Sequence, residues 1–403
     1  MTAASSSSSR FKSFSVLPVT LLMQAAASAA IIAPAVAAPR LTAMLNVSGV
    51  AIGIYVALVY SAATLSSQWG AVLVRRWGPI RTSQAALLLC AAGLPLMAVP
   101  HLAAATAGAV LLGLGYGPMT PASSEMLARS TPPERIALVF SIKQTGVPLG
   151  SGLAGLLVPS ALLAWGATAA MALIALLCLL GIALGQPLRR ELDALRDARS
   201  PLPKLANITA PMRAVLKHPV LRRLSMAAMM FSAVQASLNS YLVSFLTADL
   251  AWTLVAAGGA LSVAQGASIV GRIAWGAAAD RLRDGPRRTL RWLTILMGLA
   301  GVVLAGFAAS TGAWLVLAVL AIYGGTAIGW HGVVLGTVAR VVAHDEAASA
   351  TAGCLFFAFF GSLIAPPLFG LAGALFGSLG LAFALLAVPL LWVLYVVDRR
   401  WPE

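Results

Sequence analysis

The chain is 403 residues long, 60% apolar and 10% charged, with a mean hydropathy of +0.91, against roughly 45–50% apolar and about 25% charged in ordinary soluble domains. A soluble enzyme or binding domain is excluded, and an all-α integral membrane protein is implied. The net charge of +15 sits in short loops between apolar runs and builds no stripe with stacking aromatics, which argues against nucleic acid and for the positive-inside rule. Cys90, Cys178 and Cys354 all fall in apolar segments, so neither a disulfide framework nor a metal or other cofactor is expected.

Residues 1–13 form a Ser/Ala-rich tail, expected to be disordered and cytoplasmic. Arg10, Lys12 and the run from Phe14 to Ala35-Val36-Ala37 imitate a secretory signal. That run is roughly 24 residues, longer than a signal core of about 7–15 and long enough for a ~30 Å hydrocarbon layer. It reads as a spanning helix. Apolar stretches of spanning length follow one another at 14–38, 47–69, 83–101, 103–128, 136–163, 165–186, 223–248, 253–277, 290–309, 312–338, 347–373 and 375–397, which predicts twelve transmembrane segments. Between segments six and seven, Leu188 to Asp197 carries charges with leucines at helical spacing, and Pro201 and Pro203 follow. This reads as an amphipathic cytoplasmic helix and linker over 187–222, and the basic stretch from Met212 to Arg223 is expected to lie along the inner interface. The domains so defined are a six-helix bundle over 14–186, a second over 223–397, and a short cytoplasmic tail over 398–403.

Every second loop holds the basic residues: Arg75, Arg76 and Arg81, then Arg135, then the linker, then Arg281 to Arg291. The opposite loops hold only Arg40 among Lys and Arg. The expected orientation therefore has both termini in the cytoplasm of a multi-pass inner (plasma) membrane protein.

One half copies the other. Trp69-Gly70, Arg75, Gly78-Pro79 and Arg81 return as Trp275-Gly276, Asp280-Arg281, Gly285-Pro286 and Arg288. Gly113, Ala128-Arg129 and Gly150-Ser151 return at one constant offset as Gly324, Ala339-Arg340 and Gly361-Ser362. An even number of segments per copy makes the halves parallel, related by an axis along the membrane normal.

On these residues the chain resembles the major facilitator superfamily over nearly its full length. Gly276 followed by Asp280-Arg281 is similar to that family's loop signature between segments eight and nine; in the first copy Gly70 is followed by Val74 where the acid is expected, then by Arg75. The resemblance implies two pseudo-symmetric six-helix bundles, alternating access, and a central cavity lined by segments one, four, seven and ten. It also implies that the acid helps to lock a cytoplasmic gate, a role left without its residue in the first copy.

Candidate functional residues follow. Segment four contains Gly113, Gly115, Tyr116, Gly117, Pro118, Thr120 and Pro121, an irregular helix suited to a cavity, or glycines suited only to close packing. His331 is nine residues before Arg340, hence roughly 13 Å deep, and its repeat partner is Thr120. It is a candidate for substrate contact or proton coupling, against a histidine that merely bonds a backbone carbonyl. Lys143, ahead of Gly146 and Pro148, is the candidate cation for an anionic substrate, against a lysine that snorkels to the interface. Gln235 and Asn239 share one face of segment seven at i and i+4, beside Tyr241. Gln24 with Ser28, and Gln265 with Ser268, read more simply as helix-packing pairs. Glu125 and Arg129 read as gate or capping groups, and Arg40 as an anchor or an anion lure at the mouth of segment one.

Asp and Glu are missing from the interiors of the apolar runs, which disfavours proton-driven export of cations. A nucleotide-binding loop and a catalytic constellation are missing too, so this is not read as an enzyme. The expected activity is secondary transport of a small organic anion with a proton, by a monomer in the bilayer. The alternatives are export of a neutral or amphiphilic compound past Trp330, Tyr116, Met229 and Met230, or a membrane receptor built on a transporter fold.

Overall fold

A computed structural model describes residues 4–130, 142–194, 196–197, 199, 210–342 and 347–398. Among these the secondary structure is entirely helical. Segments one to three form the helices Ala4–Val36, Val50–Trp77 and Pro79–Met97. Segment four is interrupted at Gly117-Pro118, giving Leu102–Tyr116 and Met119–Ser130. Segments five and six run together as Gly146–Gly185, turned at Gly166, whose φ of 82° only glycine adopts easily. The expected start of segment five, with Arg135, lies outside the described residues.

Segments seven to nine form Pro219–Ala248, Leu254–Arg281 and Gly285–Ala305. Segment ten is interrupted at Ile328 to Trp330, giving Ala313–Ala327 and His331–Val341. This is the repeat position of the break in segment four. Segment eleven is Ala347–Phe376, and segment twelve is Leu379–Leu385 and Ala387–Asp398. Among the described residues, ten stretches are long and apolar enough to cross a membrane; one of them, Ile142–Leu192, contains both segments five and six. The 30-residue helix of segment seven is not among the ten, in keeping with its Arg222, Arg223, Gln235, Asn239 and run of serines.

The linker differs from expectation. The chain makes a short 3-10 turn, Gln186–Leu188, and one helical turn, Arg189–Leu192, where a longer amphipathic helix is predicted from sequence. Asp193 ends it, because its carboxylate is engaged elsewhere, as described below. Residues Ala210–Lys217 form a short helix leading into segment seven, and Pro201 and Pro203 lie outside the described residues.

The chain divides into two compact units, 1–37 with 61–204 and 38–60 with 205–403. Segment two is therefore shared. Its first half belongs with the second unit, where Gly53 lies so close to the Pro366-Pro367 backbone that a Cβ would fall 2.5 Å from it. The Tyr241 hydroxyl donates to the Gly49 carbonyl nearby (3.4 Å).

Each unit has the same internal seam, built from the repeated Gly-Ser. In the first, Gly150 packs on the Ala25 carbonyl and Ser151 Oγ lies 3.1 Å from Ser28 Oγ. In the second, Gly361 packs on the Met229 carbonyl and Ser362 Oγ lies 2.7 Å from Ser232 Oγ. Glycine brings two helix backbones into contact, and the hydroxyl pair satisfies its polar atoms within that contact. The seams join segment one to five and segment seven to eleven.

Candidate functional site

In the first unit, the helix break of segment four and the restart of segment five converge on Lys143. This lysine is 1% exposed. The ammonium donates to the Thr120 carbonyl at 3.5 Å and to Ser124 Oγ at 3.4 Å, both longer than the roughly 2.7–3.2 Å typical of N–H···O bonds. No snorkelling to an interface accounts for such burial. Thr120, in the first turn of Met119–Ser130, is exposed, and Tyr116, in the last turn before the break, is half-buried.

One turn beyond Lys143, Gly146 rests against Gln24 of segment one, with 3.1 Å from its would-be Cβ to Gln24 Cβ. Gln24 is fully buried, and neither its Oε1 nor its Nε2 has a hydrogen-bond partner among the described residues. An orphaned polar group costs about 1–3 kcal/mol, so a native structure keeps one where water or a ligand completes it. Ser28, the other member of that sequence pair, donates to the Val147 carbonyl (2.8 Å) and belongs to the seam. The sequence pattern does not distinguish Gln24 from Ser28; the structure separates them.

In the second unit the corresponding break brings Trp330 and His331 together. Trp330 is fully buried; it donates from Nε1 to Gln235 Oε1 (3.0 Å) and stacks on His331 with ring centroids 3.9 Å apart. His331 is half-buried and opens the helix His331–Val341, with its imidazole next to the Ile328 carbonyl in the break, a backbone hydrogen-bond partner. Arg272 of segment eight lies close enough for its charge to act on that imidazole. Sequence reasoning misses Arg272, although it is the only ionisable residue between Leu254 and Ala279.

The i, i+4 pair of segment seven separates likewise. Asn239 Oδ1 accepts from the buried Gln265 Nε2 (2.9 Å), and Ser268 donates to the Gln265 carbonyl (2.7 Å). Asn239 is thus tied into a bond between segments seven and eight, while Gln235 positions Trp330.

The two basic hairpins have diverged. In the second, the exposed Asp280 carboxylate pairs with the exposed Arg340 guanidinium. Asp284 lies 3.7 Å from Arg287, whose Nε donates to the Val397 carbonyl (3.0 Å). Gly285 packs on the Ala279 carbonyl, whereas Gly276 has open space around it and Arg281 and Arg288 are exposed.

In the first hairpin, Val74 is buried and Arg75 and Arg81 are exposed, while Gly70 packs on Pro121. The carboxylate here comes from the linker. Asp193 Oδ1 accepts from the Ile80 amide (2.9 Å) and Oδ2 from the Arg81 amide (3.2 Å), at the open N-terminus of segment three. Gly78, at φ 93°, makes room for it, since a Cβ there would lie 2.3 Å from Asp193. Burial pushes the Asp193 carboxyl above the ordinary aspartate range, against the pull of these two amides and of Arg189 and Arg81. Glu125 is half-buried, and the Arg129 side chain lies outside the described residues.

A family model, the Major Facilitator Superfamily, matches residues 19–366. The chain belongs to this superfamily. Solved structures agree in fold: a mutant of the nucleoside transporter NupG at 13% identity and TM-score 0.78, covering 96% of this chain and 98% of that one; a POT family transporter in complex with 5-aminolevulinic acid at 15% and 0.73, covering 95% and 94%; and a bacterial homolog to the human lysosomal transporter Spinster at 14% and 0.71, covering 95% and 94%. A search of curated proteins finds no match. The superfamily member is a multi-pass membrane transporter and not an enzyme.

Proposed function

We propose that this transporter is a secondary symporter of a small organic anion with a proton, working by alternating access with the basic loops and both termini in the cytoplasm. The observation that carries this reading is the Lys143 ammonium, buried with two long contacts among the described residues, together with Gln24, which packs against Gly146 one turn further on and whose amide has no partner among the described residues. A carboxylate would accept from the ammonium, and its neighbouring polar groups would meet Gln24, Thr120 and Tyr116. In the second unit, His331 is the candidate proton site, stacked on the Trp330 ring, which Gln235 holds in place. One proton per monoanion moves no net charge. Asn239 has the smaller part in this scheme, as a brace on segment seven.

A second reading has one observation in its favour. Met229 and Met230 line an apolar cavity of about 400 Å³ with Phe360, Ile364 and Phe369 in the second unit, which suits a neutral or amphiphilic compound. Reconstituted protein separates the two. Labelled monocarboxylates, dicarboxylates and inorganic anions should accumulate under an inward proton gradient and fail to do so in Lys143→Ala. Efflux of a neutral amphiphile without any anion uptake by folded protein would replace the first reading with the second.

A further inference from the structure

Segment six ends where Gly185-Gln186-Pro187 breaks the helix, and the turn that follows carries Arg189 and Arg190, with Arg196 beyond. Together with Gln186, Ala183 and Asp193 these arginines line an open groove of about 940 Å³. The acid in the groove does little to oppose an anion, because both Asp193 oxygens face the Ile80 and Arg81 amides. Glu191, the other acid of the turn, does not line the groove. Gln186 Oε1 accepts from Gln84 Nε2 (2.9 Å), which leaves the Gln186 amide nitrogen as a donor. Next to Arg196, the Asp197 amide donates to the Arg75 carbonyl (2.8 Å), which ties this part of the linker to the first hairpin.

What leads into the groove decides its ligand. Leu176, Leu180 and Leu184 recur at helical spacing on segment six and are 60%, 45% and 45% exposed, an apolar strip that in a bilayer faces acyl chains and stops just short of the arginines. A strip of chain-length contacts ending in a cationic groove at the headgroup level matches a phospholipid better than a free anion.

We infer that the groove of Gln186, Arg189, Arg190 and Arg196 is a binding site for an anionic glycerophospholipid, its phosphate among the arginines and an acyl chain along Leu176, Leu180 and Leu184. The lipid ties the end of segment six and the linker to the bilayer surface. This site is separate from the Lys143 cluster and independent of what is transported.

The test measures binding of labelled phosphatidylglycerol and phosphatidylcholine to the purified full chain in detergent. The wild type should prefer phosphatidylglycerol by at least about tenfold, and the triple variant Arg189→Gln, Arg190→Gln, Arg196→Gln should lose on the order of a hundredfold, at about fivefold per arginine. A control removing equal charge from the other hairpin, Arg281→Gln, Arg283→Gln, Arg288→Gln, should keep the preference. Arg190→Glu, a change at an exposed side chain, gives the same reading with the least demand on folding. Equal binding of both lipids, an equal loss in the control, or no loss in the groove variants would overturn the assignment. Inorganic phosphate at millimolar concentration should leave the labelled lipid bound; its full displacement would assign the groove to free phosphate instead.

Discussion

Replacing Lys143 with methionine should raise the stability of this protein while abolishing its transport. An ammonium withdrawn from solvent carries an effective penalty of several kcal/mol, which attraction and hydrogen bonds offset only when their geometry is good. Here the bonds to the Thr120 carbonyl and Ser124 Oγ are 3.5 and 3.4 Å long, so they return little of it. Methionine has nearly the same length and no charge, fills the same space, and, among the described residues, strands two weakly used acceptors. By analogy with buried charges replaced by apolar side chains of similar volume, the gain should be about 1–4 kcal/mol. Melting of the detergent-purified variant, followed by intrinsic fluorescence, should rise by several degrees, and anion uptake in liposomes should fall at least about tenfold. A variant that melts below the wild type would show that Lys143 is a structural group and refute the reasoning. Retained uptake would refute its role in substrate recognition.

Gln24→Leu should likewise stabilise the fold, by about 1–2 kcal/mol, because it removes two buried atoms that have no partner among the described residues; uptake measured across the anion panel should lose selectivity. Gly150→Val and Gly361→Val should each cost about 3 kcal/mol or more, since a Cβ would sit 1.9 Å from the Ala25 carbonyl and 2.0 Å from the Met229 carbonyl. Gly276→Ala, with nothing within 4 Å, should instead be neutral or stabilising by up to about 1 kcal/mol, and equal melting of the three variants would contradict the seam. Burial holds the Asp193 carboxyl above its ordinary range, so the folded chain binds that proton more tightly than the unfolded chain. The wild type should therefore lose stability relative to Asp193→Asn as pH rises from about 4 through the raised value; a pH-independent difference in melting temperature would show that the carboxyl is not perturbed.

Much of the architecture is legible in the sequence because its signals are local or repeated. Apolar run length places the segments, Gly117-Pro118 marks the break in segment four, and the duplicated Gly-Ser at 150–151 and 361–362 marks the two seams. The unread features depend on which residues meet. Nothing near Gln24 in the chain distinguishes it from Ser28, since the difference is whether a partner from segment five reaches each. Asn239 and Gln265 are visible as members of two separate polar pairs, but their bond spans 26 residues and two helices. The Asp193 carboxylate reaches a helix N-terminus more than a hundred residues earlier, and amphipathic spacing alone predicts a continuing helix there. Arg272 is a different case: an arginine two turns from the nearest charge on its helix, Asp280, is readable from sequence as buried chemistry.

The two copies of the basic hairpin hold their carboxylates by different means, and the energies differ in kind. Asp280 and Arg340 are both more than half exposed, and an exposed ion pair is worth about 0–1 kcal/mol. Such a contact can form and break at little cost. Asp193 is 4% exposed and makes two amide bonds at a helix N-terminus that has no other cap from its own chain segment; losing an N-terminal cap costs about 0.5–2 kcal/mol before any burial effect. It also packs against the Gly78 turn, where the carboxylate occupies the space a Cβ would take. The first hairpin is therefore a fixed joint between segment three and the linker, and the second is a reversible one. In the alternating-access cycle proposed above, the exposed Asp280–Arg340 pair is the contact suited to open on every turn, and the buried Asp193 carboxylate is suited to hold the Arg189–Leu192 turn, and the arginine groove on it, to segment three.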